Sequence, residues 1–434
     1  MKLPVCSASA IVVLLLSASV SHAQTDVFRG ALIYPVSSAP IENGVLVVDN
    51  GMITALGSDG SVEIPKGATA HDVSGKVLIP GMVDTHSHIG SPQGGDSSAP
   101  LAPETRSLDA IDIFSDAFWR ARAGGITTLN VMPGSLHLMS GQTTYLKLRD
   151  GGRRIEDWLF CTDAINDVCG SMKMANGTNS IKDKPFPGTR SRSAALQRAL
   201  FVEGQNYLEK LARNDEDQPP SRDLRLEAIA QVLAGERRVQ FHSHRHNDIL
   251  TVLRLAREFD LDPVIQHGTD AWKVAGELAE ANIPVSLTFI ESPGGKEEAL
   301  GWNMRAGVIL AEAGVDVSFN TDDYILDSRR MLRYGALNVR YGMTPARALE
   351  ALTLAGARAL RLDDRVGSLE TGKDADFVVL SGDPFSTYTK VLETWVEGRR
   401  IFGRADPEHE KYALGGFDVY NANSLHSHEV GGTR

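Results

Sequence analysis

Lys76-Val77-Leu78-Ile79-Pro80-Gly81-Met82-Val83-Asp84-Thr85-His86-Ser87-His88 is the stretch on which the fold turns. An apolar run of strand length ends on two histidines spaced i, i+2. Residues at that spacing in a strand point to the same side, so His86 and His88 can clamp one ion together. The design recurs downstream. His242 follows Val239-Gln240-Phe241, His267 follows Val264-Ile265-Gln266, and Asp322 follows Val317-Ser318-Phe319-Asn320-Thr321. Helical patterns separate the strands: Asn247 to Phe259, Thr269 to Ala281, Ala306 to Ala313, Ser328 to Arg340 and Thr344 to Leu360. Upstream, Thr105 to Ala123 reads as an amphipathic helix leading into the strand Gly125 to Val131. Such alternation predicts an α/β fold with parallel strands and crossover helices. The span 79–365 fits a distorted (β/α)8 TIM barrel, in which the C-terminal strand ends meet at one mouth. A doubly wound open sheet is the alternative. It is disfavoured because no glycine-rich phosphate-binding turn follows the first strand.

The flanks differ in texture. Ala31-Leu32-Ile33-Tyr34, Gly44 to Val48 and Met52 to Leu56 are short β-rich runs, with the hairpin signal Asp49-Asn50-Gly51 between two of them. Similar runs return at Asp376 to Leu380, Val391 to Val396 and Arg399 to Phe402. Neither end has strands enough to bury a sheet alone. Together, 24–78 and 366–405 are expected to form one small β-sandwich domain into which the barrel is inserted. The segment Cys161 to Pro220 is polar and punctuated by Gly, Asn and Pro, with one clear helix near Ser193 to Ala212. It reads as an enlarged loop. Residues 406–434 read as a C-terminal tail, where His426 and His428 are most simply solvated.

Composition narrows the function. The 434 residues carry 44 Lys and Arg against 55 Asp and Glu, a net charge of −11. So acidic a chain is poorly suited to bind nucleic acid by bulk electrostatics and is not drawn to anionic membranes. Residues 1–23 have the pattern of a secretory signal peptide: Lys2, an apolar centre Ile11-Val12-Val13-Leu14-Leu15-Leu16, and Ser21-His22-Ala23 at the cleavage site. Cys6 precedes the apolar run, which argues against a lipid anchor. A periplasmic or secreted location is expected. There, Cys161 and Cys169 meet an oxidising compartment, which predicts a disulfide; two buried thiols are the alternative.

Four histidines and an aspartate at successive strand ends match the ligand set of a hydrolytic metal site with a position left for water. A lone histidine at a strand end is more often a hydrogen-bonded structural residue; the constellation is what shifts the reading to metal. Here the sequence meets a family. Ile79 to His88 resembles the opening motif of the amidohydrolase superfamily. Gly367-Ser368-Leu369-Glu370-Thr371-Gly372-Lys373-Asp374-Ala375-Asp376-Phe377-Val378-Val379 resembles the motif at which its chain returns to the β domain. The resemblance includes His242, His267-Gly268 and Thr321-Asp322, and runs from about Gly30 to Arg404. It is nearest the imidazolonepropionase-like and prolidase-like branch.

The resemblance implies a metal-dependent hydrolase of carbon–nitrogen bonds. His86, His88 and Asp322 would hold the more buried ion, and His242 and His267 a second, more exposed one if there is one. Lys173, in Gly170 to Gly177, is the candidate for a carboxylated lysine bridging both; an ordinary loop lysine is the alternative. The cofactor is a divalent metal, zinc first, with one or two ions per chain. Asp322 would take a proton from water and give it to the leaving amine. His244 would stabilise an oxyanion or hold substrate, and Arg245 would bind a carboxylate. His137 and Gln142, in a glycine-rich loop after the second strand, are further candidates for substrate contact.

Ring deaminases of this superfamily, and imidazolonepropionase, carry His-x-x-Glu where this chain has His242 to Arg245. Loss of that glutamate favours an acyclic amide: a dipeptide, an N-acyl amino acid or a similar small molecule. A cyclic amidohydrolase or a deaminase is the alternative. A metal-holding protein without catalysis is a third reading, opposed by the intact Asp322. A homo-oligomer is left open. The expected product of export is a chain beginning at Gln24, which N-terminal sequencing of protein recovered from the periplasm or medium checks; a chain retaining Met1 there would contradict it.

Overall fold

The computed structural model describes residues 25–90, 96, 98–182, 186–213, 221–288, 296–323, 325–416 and 419. The expected signal peptide, His426 and His428 lie outside the described residues. The fold is mixed α/β.

Both chain ends build one sheet of eight strands. Thr25–Ile33, Ile41–Asp49, Met52–Ser58, Thr69–Asp72 and Val77–Pro80 come from the first part, and Phe377–Leu380, Val391–Val396 and Arg399–Gly403 from the last. In the turn expected at Asp49-Asn50-Gly51, Asn50 has φ +51° and Gly51 φ +81°. Positive φ at both central residues is what a tight two-residue hairpin needs. Hydrogen bonds join all eight strands continuously. The reason is Val77–Pro80, which pairs with Leu32 and Ile33 on one edge and with Phe377–Leu380 on the other. The same pairing moves the expected domain boundary: 77–80 belong to this sheet, and the chain leaves it at Gly81. A β-carbon there would lie 2.1 Å from Thr127 Oγ1, so only glycine fits the crossing.

The inserted part carries the strand–helix alternation. Met172–Ala175, Val239–Ser243, Pro263–His267, Val285–Thr288 and Val317–Asn320 are parallel neighbours in that order. Met82–Ser87 runs parallel to Ile126–Val131. Backbone bonds join the two sets at the histidine end, Asp322 N–H to His86 O and His88 N–H to Asp323 O, both 2.9 Å. On the other side Thr144–Lys147 lies antiparallel to Ile126–Val131. Its opposite edge bonds residues 169–171, with Thr143 N–H to Ser171 O at 2.8 Å and Tyr145 N–H to Cys169 O at 2.9 Å. Hydrogen bonds thus pass through the whole set and return to its start. One member runs against the others, which the alternation does not predict.

Several helices differ from expectation. Thr105 to Ala123 is helical only at Ser107–Asp109 and Asp116–Ala123, because Ser115 caps the helix by accepting the Ala117 N–H. Thr344 to Leu360 is two helices, Pro345–Leu352 and Leu354–Leu360, broken at Thr353 (φ −133°, ψ −89°). The loop assigned to 161–220 contains the strand Met172–Ala175, and Leu224–Leu233 is a further helix beyond it. Cys161 and Cys169 are joined as a disulfide. The tail is not wholly loose: Pro407–Leu414 is a helix, and the Tyr412 hydroxyl donates to Asp116. Among the described residues no helix is long and apolar enough to cross a membrane.

A buried charge cluster ties the two parts together. Lys147, fully buried, faces Asp374, to which it donates, with Asp376 at 3.2 Å and Glu397 at 3.4 Å. Arg149 forks onto both oxygens of Glu397 at 2.8 Å, and Arg365 reaches Asp374 at 2.7 Å. Two of the carboxylates belong to the return motif. Removing one partner of a buried pair typically costs about 3–5 kcal/mol, because the remaining charge stays desolvated. Lys147→Met is expected to lose stability on that scale in urea unfolding, whereas Arg154→Met, at an exposed pair, is expected to lose under about 1 kcal/mol. Equal losses would contradict the reading.

Candidate metal centre

His86 is the fifth residue of Met82–Ser87, with His88 just beyond it; His242 is fourth in Val239–Ser243 and His267 ends Pro263–His267. Lys173 sits in Met172–Ala175, and Asp322 lies two residues past Val317–Asn320. All four histidines and Lys173 are buried. His86 Nε2 and His88 Nε2 are 3.2 Å apart, and Asp322 Oδ1 lies 3.4 and 3.0 Å from them. The Lys173 amine is 3.0 Å from His86 Nε2 and 2.9 Å from Met132 Sδ. The His267 ring lies 4.8 Å from His86 and 4.4 Å from His242, centre to centre.

The surrounding bonds decide which ring nitrogen faces inward. His88 Nδ1 is 2.7 Å from the Met132 carbonyl, which only accepts, so Nδ1 carries the proton. His267 Nδ1 is 2.7 Å from Thr288 Oγ1; that hydroxyl gives its own proton to Asn320 Oδ1 at 2.8 Å, so it accepts from His267. His86 Nδ1 is 3.2 Å from Gln266 Oε1, while the Gln266 amide donates to Gln240 Oε1 at 2.6 Å. His86 and His88 therefore direct Nδ1–H outward and their Nε2 atoms towards each other, whereas His267 has its Nδ1 3.8 Å from Asp322 Oδ2. This is the arrangement by which outer hydrogen bonds fix metal-ligating histidines. Among the described residues, His267 Nε2 and both nitrogens of His242 have no hydrogen-bond partner. Buried lone pairs converging on a carboxylate fit a divalent cation.

Electrostatics agree. Burial holds His86, His242 and His267 well below the usual imidazole range, so they stay neutral. Burial works against the charge of Asp322, and positive charge on the side of His86, His267 and His88 holds its carboxyl well below the usual range; with those imidazoles neutral, a bound cation fills that role. Burial pulls the Lys173 ammonium down to about 7. Asp84, pushed up to about 7 by burial, accepts from Thr321 N–H at 3.1 Å and His86 N–H at 3.2 Å, pinning both ligand turns. His267 (φ +72°) and Asp322 (φ +48°) have left-handed backbones, a cost that functional sites commonly carry.

Of the remaining predicted residues, only His244 is shown against this cluster. His244 is buried beside His242, 4.7 Å between ring centres, with Nδ1 2.8 Å from Thr269 Oγ1. Arg245 is exposed at the start of the helix His246–Phe259. His137 is buried edge-on to Phe186. Gln142 is displaced from its expected place. It sits opposite Met172, at the far end of the strand from the histidines, donates to the Pro103 carbonyl at 3.1 Å and lines another cleft with Arg106 and Arg237. Sequence reasoning missed Gln266, Thr288 and Glu298. The polar Gln240 and Gln266 within apolar strands were a readable signal; Glu298, in Lys296-Glu297-Glu298, offered none.

The comparisons follow the same line. The amidohydrolase family model matches residues 77–401, and the chain belongs to that family. The chain is therefore a hydrolase acting on C–N bonds. A solved amidohydrolase from Thermotoga maritima MSB8 is 32% identical, with a TM-score of 0.78, covering 87% of this chain and 100% of that one. Amidohydrolase tasK of Hapsidospora irregularis is 25% identical over 83% of this chain, which spans only 40% of that protein's length. Imidazolonepropionase of Phocaeicola vulgatus is 25% identical, covering 82% of this chain and 91% of that one.

Thr288→Val removes the acceptor that fixes His267 while keeping side-chain volume. It is expected to weaken zinc binding by about 10–100-fold with the fold retained, as read by calorimetric titration and circular dichroism. Unchanged affinity would refute the tautomer assignment.

Proposed function

We propose that this protein is an exported metal-dependent hydrolase that cleaves an acyclic amide bond: a dipeptide, an N-acyl amino acid or a similar compound. The observation that carries the reading is the meeting of the His86 and His88 Nε2 atoms with the Asp322 carboxylate in one buried cluster. Its framework is a distorted (β/α)8 barrel with a β domain on its flank, supported by hydrogen bonds that pass around the inserted strands and return to their start. His86, His88, Asp322 and Lys173 would hold the more buried ion, and His242 with His267 the second. A divalent ion held there, zinc first, would polarise the scissile carbonyl and bring the pKa of water down towards ~7.

The chain's own groups do the rest. Asp322, an ionised carboxylate at neutral pH, takes a proton from the attacking water and delivers it to the leaving nitrogen. Lys173, with an ammonium pKa pulled down to about 7, has an appreciable neutral fraction at physiological pH. Its neutral amine can add CO2, forming an N–C bond and releasing one proton, to give a bridging carbamate. Arg245 at the rim offers a cation for a substrate carboxylate. It also stands where a ring deaminase would place its proton-shuttling glutamate, which favours acyclic substrates.

Turnover of dipeptides and N-acyl amino acids by the zinc-loaded protein is the test, run beside cyclic amides and aminated rings. Asp322→Asn is expected to lower kcat by about 10²–10⁴-fold with the fold retained. Turnover of the rings without cleavage of acyclic amides would overturn the substrate class, and full activity in Asp322→Asn would overturn the mechanism.

A further inference from the structure

Glu298 enters the same space from a turn with no strand of its own. It lies in the short 3-10 helix Glu297–Ala299 and is buried. One carboxylate oxygen is tethered: Oε2 accepts the Thr178 N–H at 2.9 Å and has Arg190 at 3.8 Å. Arg190 is itself engaged with Asp248 at 3.0 Å, so Glu298 is steered rather than neutralised. Among the described residues the other oxygen, Oε1, has no hydrogen-bond partner, and neither have His244 Nε2 or either nitrogen of His242. A ligand atom from each of His242, His244 and Glu298 lies within 4.8 Å of the other two. Three buried side chains able to ligate a metal thus lie close together. Two imidazoles and one carboxylate form a donor set that divalent transition metals accept.

We propose that Glu298 and His244, together with His242, hold the second divalent ion. His244 is then a ligand rather than an oxyanion donor. The carboxylate adds an anion of its own to the imidazoles of His242 and His244. Because Glu298 hangs from the Thr178 backbone, retention of this ion depends on the contact between the 296–300 turn and the segment following Met172–Ala175. The inference rests on the metal-centre reading, not on the choice of substrate.

The test is zinc titration of the metal-stripped full chain by calorimetry, with elemental analysis after desalting, on wild type, Glu298→Gln, His244→Ala and His267→Ala. In Glu298→Gln the side-chain carbonyl can still accept from Thr178, and thermal unfolding of the metal-free variants checks the fold. The expected result is two ions in wild type, one of which binds at least tenfold more weakly in both Glu298→Gln and His244→Ala. Two ions at wild-type affinity in those variants, with loss of one in His267→Ala, would overturn the proposal. So would retained zinc in Glu298→Gln accompanied by selective loss of substrates bearing a free amine, which would make Glu298 a substrate anchor. A single zinc in wild type, indifferent to Glu298→Gln, would overturn the inference and leave the metal centre standing. No zinc at all in wild type would remove both.

Discussion

His86 and His88 donate their Nδ1 protons to outward acceptors and so turn their Nε2 atoms towards one another in a buried space. His86 and His88 meet at 3.2 Å, the Asp322 carboxylate stands 3.0 Å from one of them, and among the described residues the neighbouring His242 has no partner for either nitrogen. At low local dielectric, acceptors gathered this closely cost free energy that a proton or a cation offsets. Burial disfavours protonation of His86 and His267. A cation is the solution that remains, and the surrounding structure is arranged to keep it so.

Beneath the site the interior between the strands is polar. Gln266 holds His86 and donates to Gln240, and Gln240 donates to Ser171, which is bonded to Tyr145. Asn320 donates to Ser286 and accepts from Thr288, the partner of His267. A satisfied network of this kind fixes ring orientation more rigidly than packing alone. It leads from the histidines to Tyr145, two residues from Lys147, whose buried charge cluster anchors the return motif. The flanking sheet and the ligand strands are thus coupled through one short strand, Thr144–Lys147, which lies beside the segment that continues into Lys173.

Much of this was legible in the sequence, for identifiable reasons. A run of apolar residues ending in His-x-His declares both a strand and a shared side, and the spacing of His242, His267 and Asp322 repeats the signal. Local rules lost sight of the rest. The Met172–Ala175 strand is four residues long within polar sequence, so Lys173 read as a loop residue as readily as a ligand. Gln266 and His267 are adjacent and by strict alternation should face opposite ways. The left-handed backbone of His267 breaks that alternation and lets both serve the site. Gln142 was placed by proximity in sequence to a glycine-rich loop, but antiparallel pairing carries it to the other end of the strand. Glu298 arrives on a turn, where no period announces a buried side chain.

Metal content and native mass of the same preparation probe the centre most directly. Protein supplied with zinc and bicarbonate, then desalted, is measured by elemental analysis and by non-denaturing mass spectrometry. Close to two zinc ions per chain are expected, with an adduct of about +44 Da, the mass of added CO2, that is absent from Lys173→Met. Protein that retains no divalent metal under these conditions would contradict the reading of the histidine cluster as a metal centre.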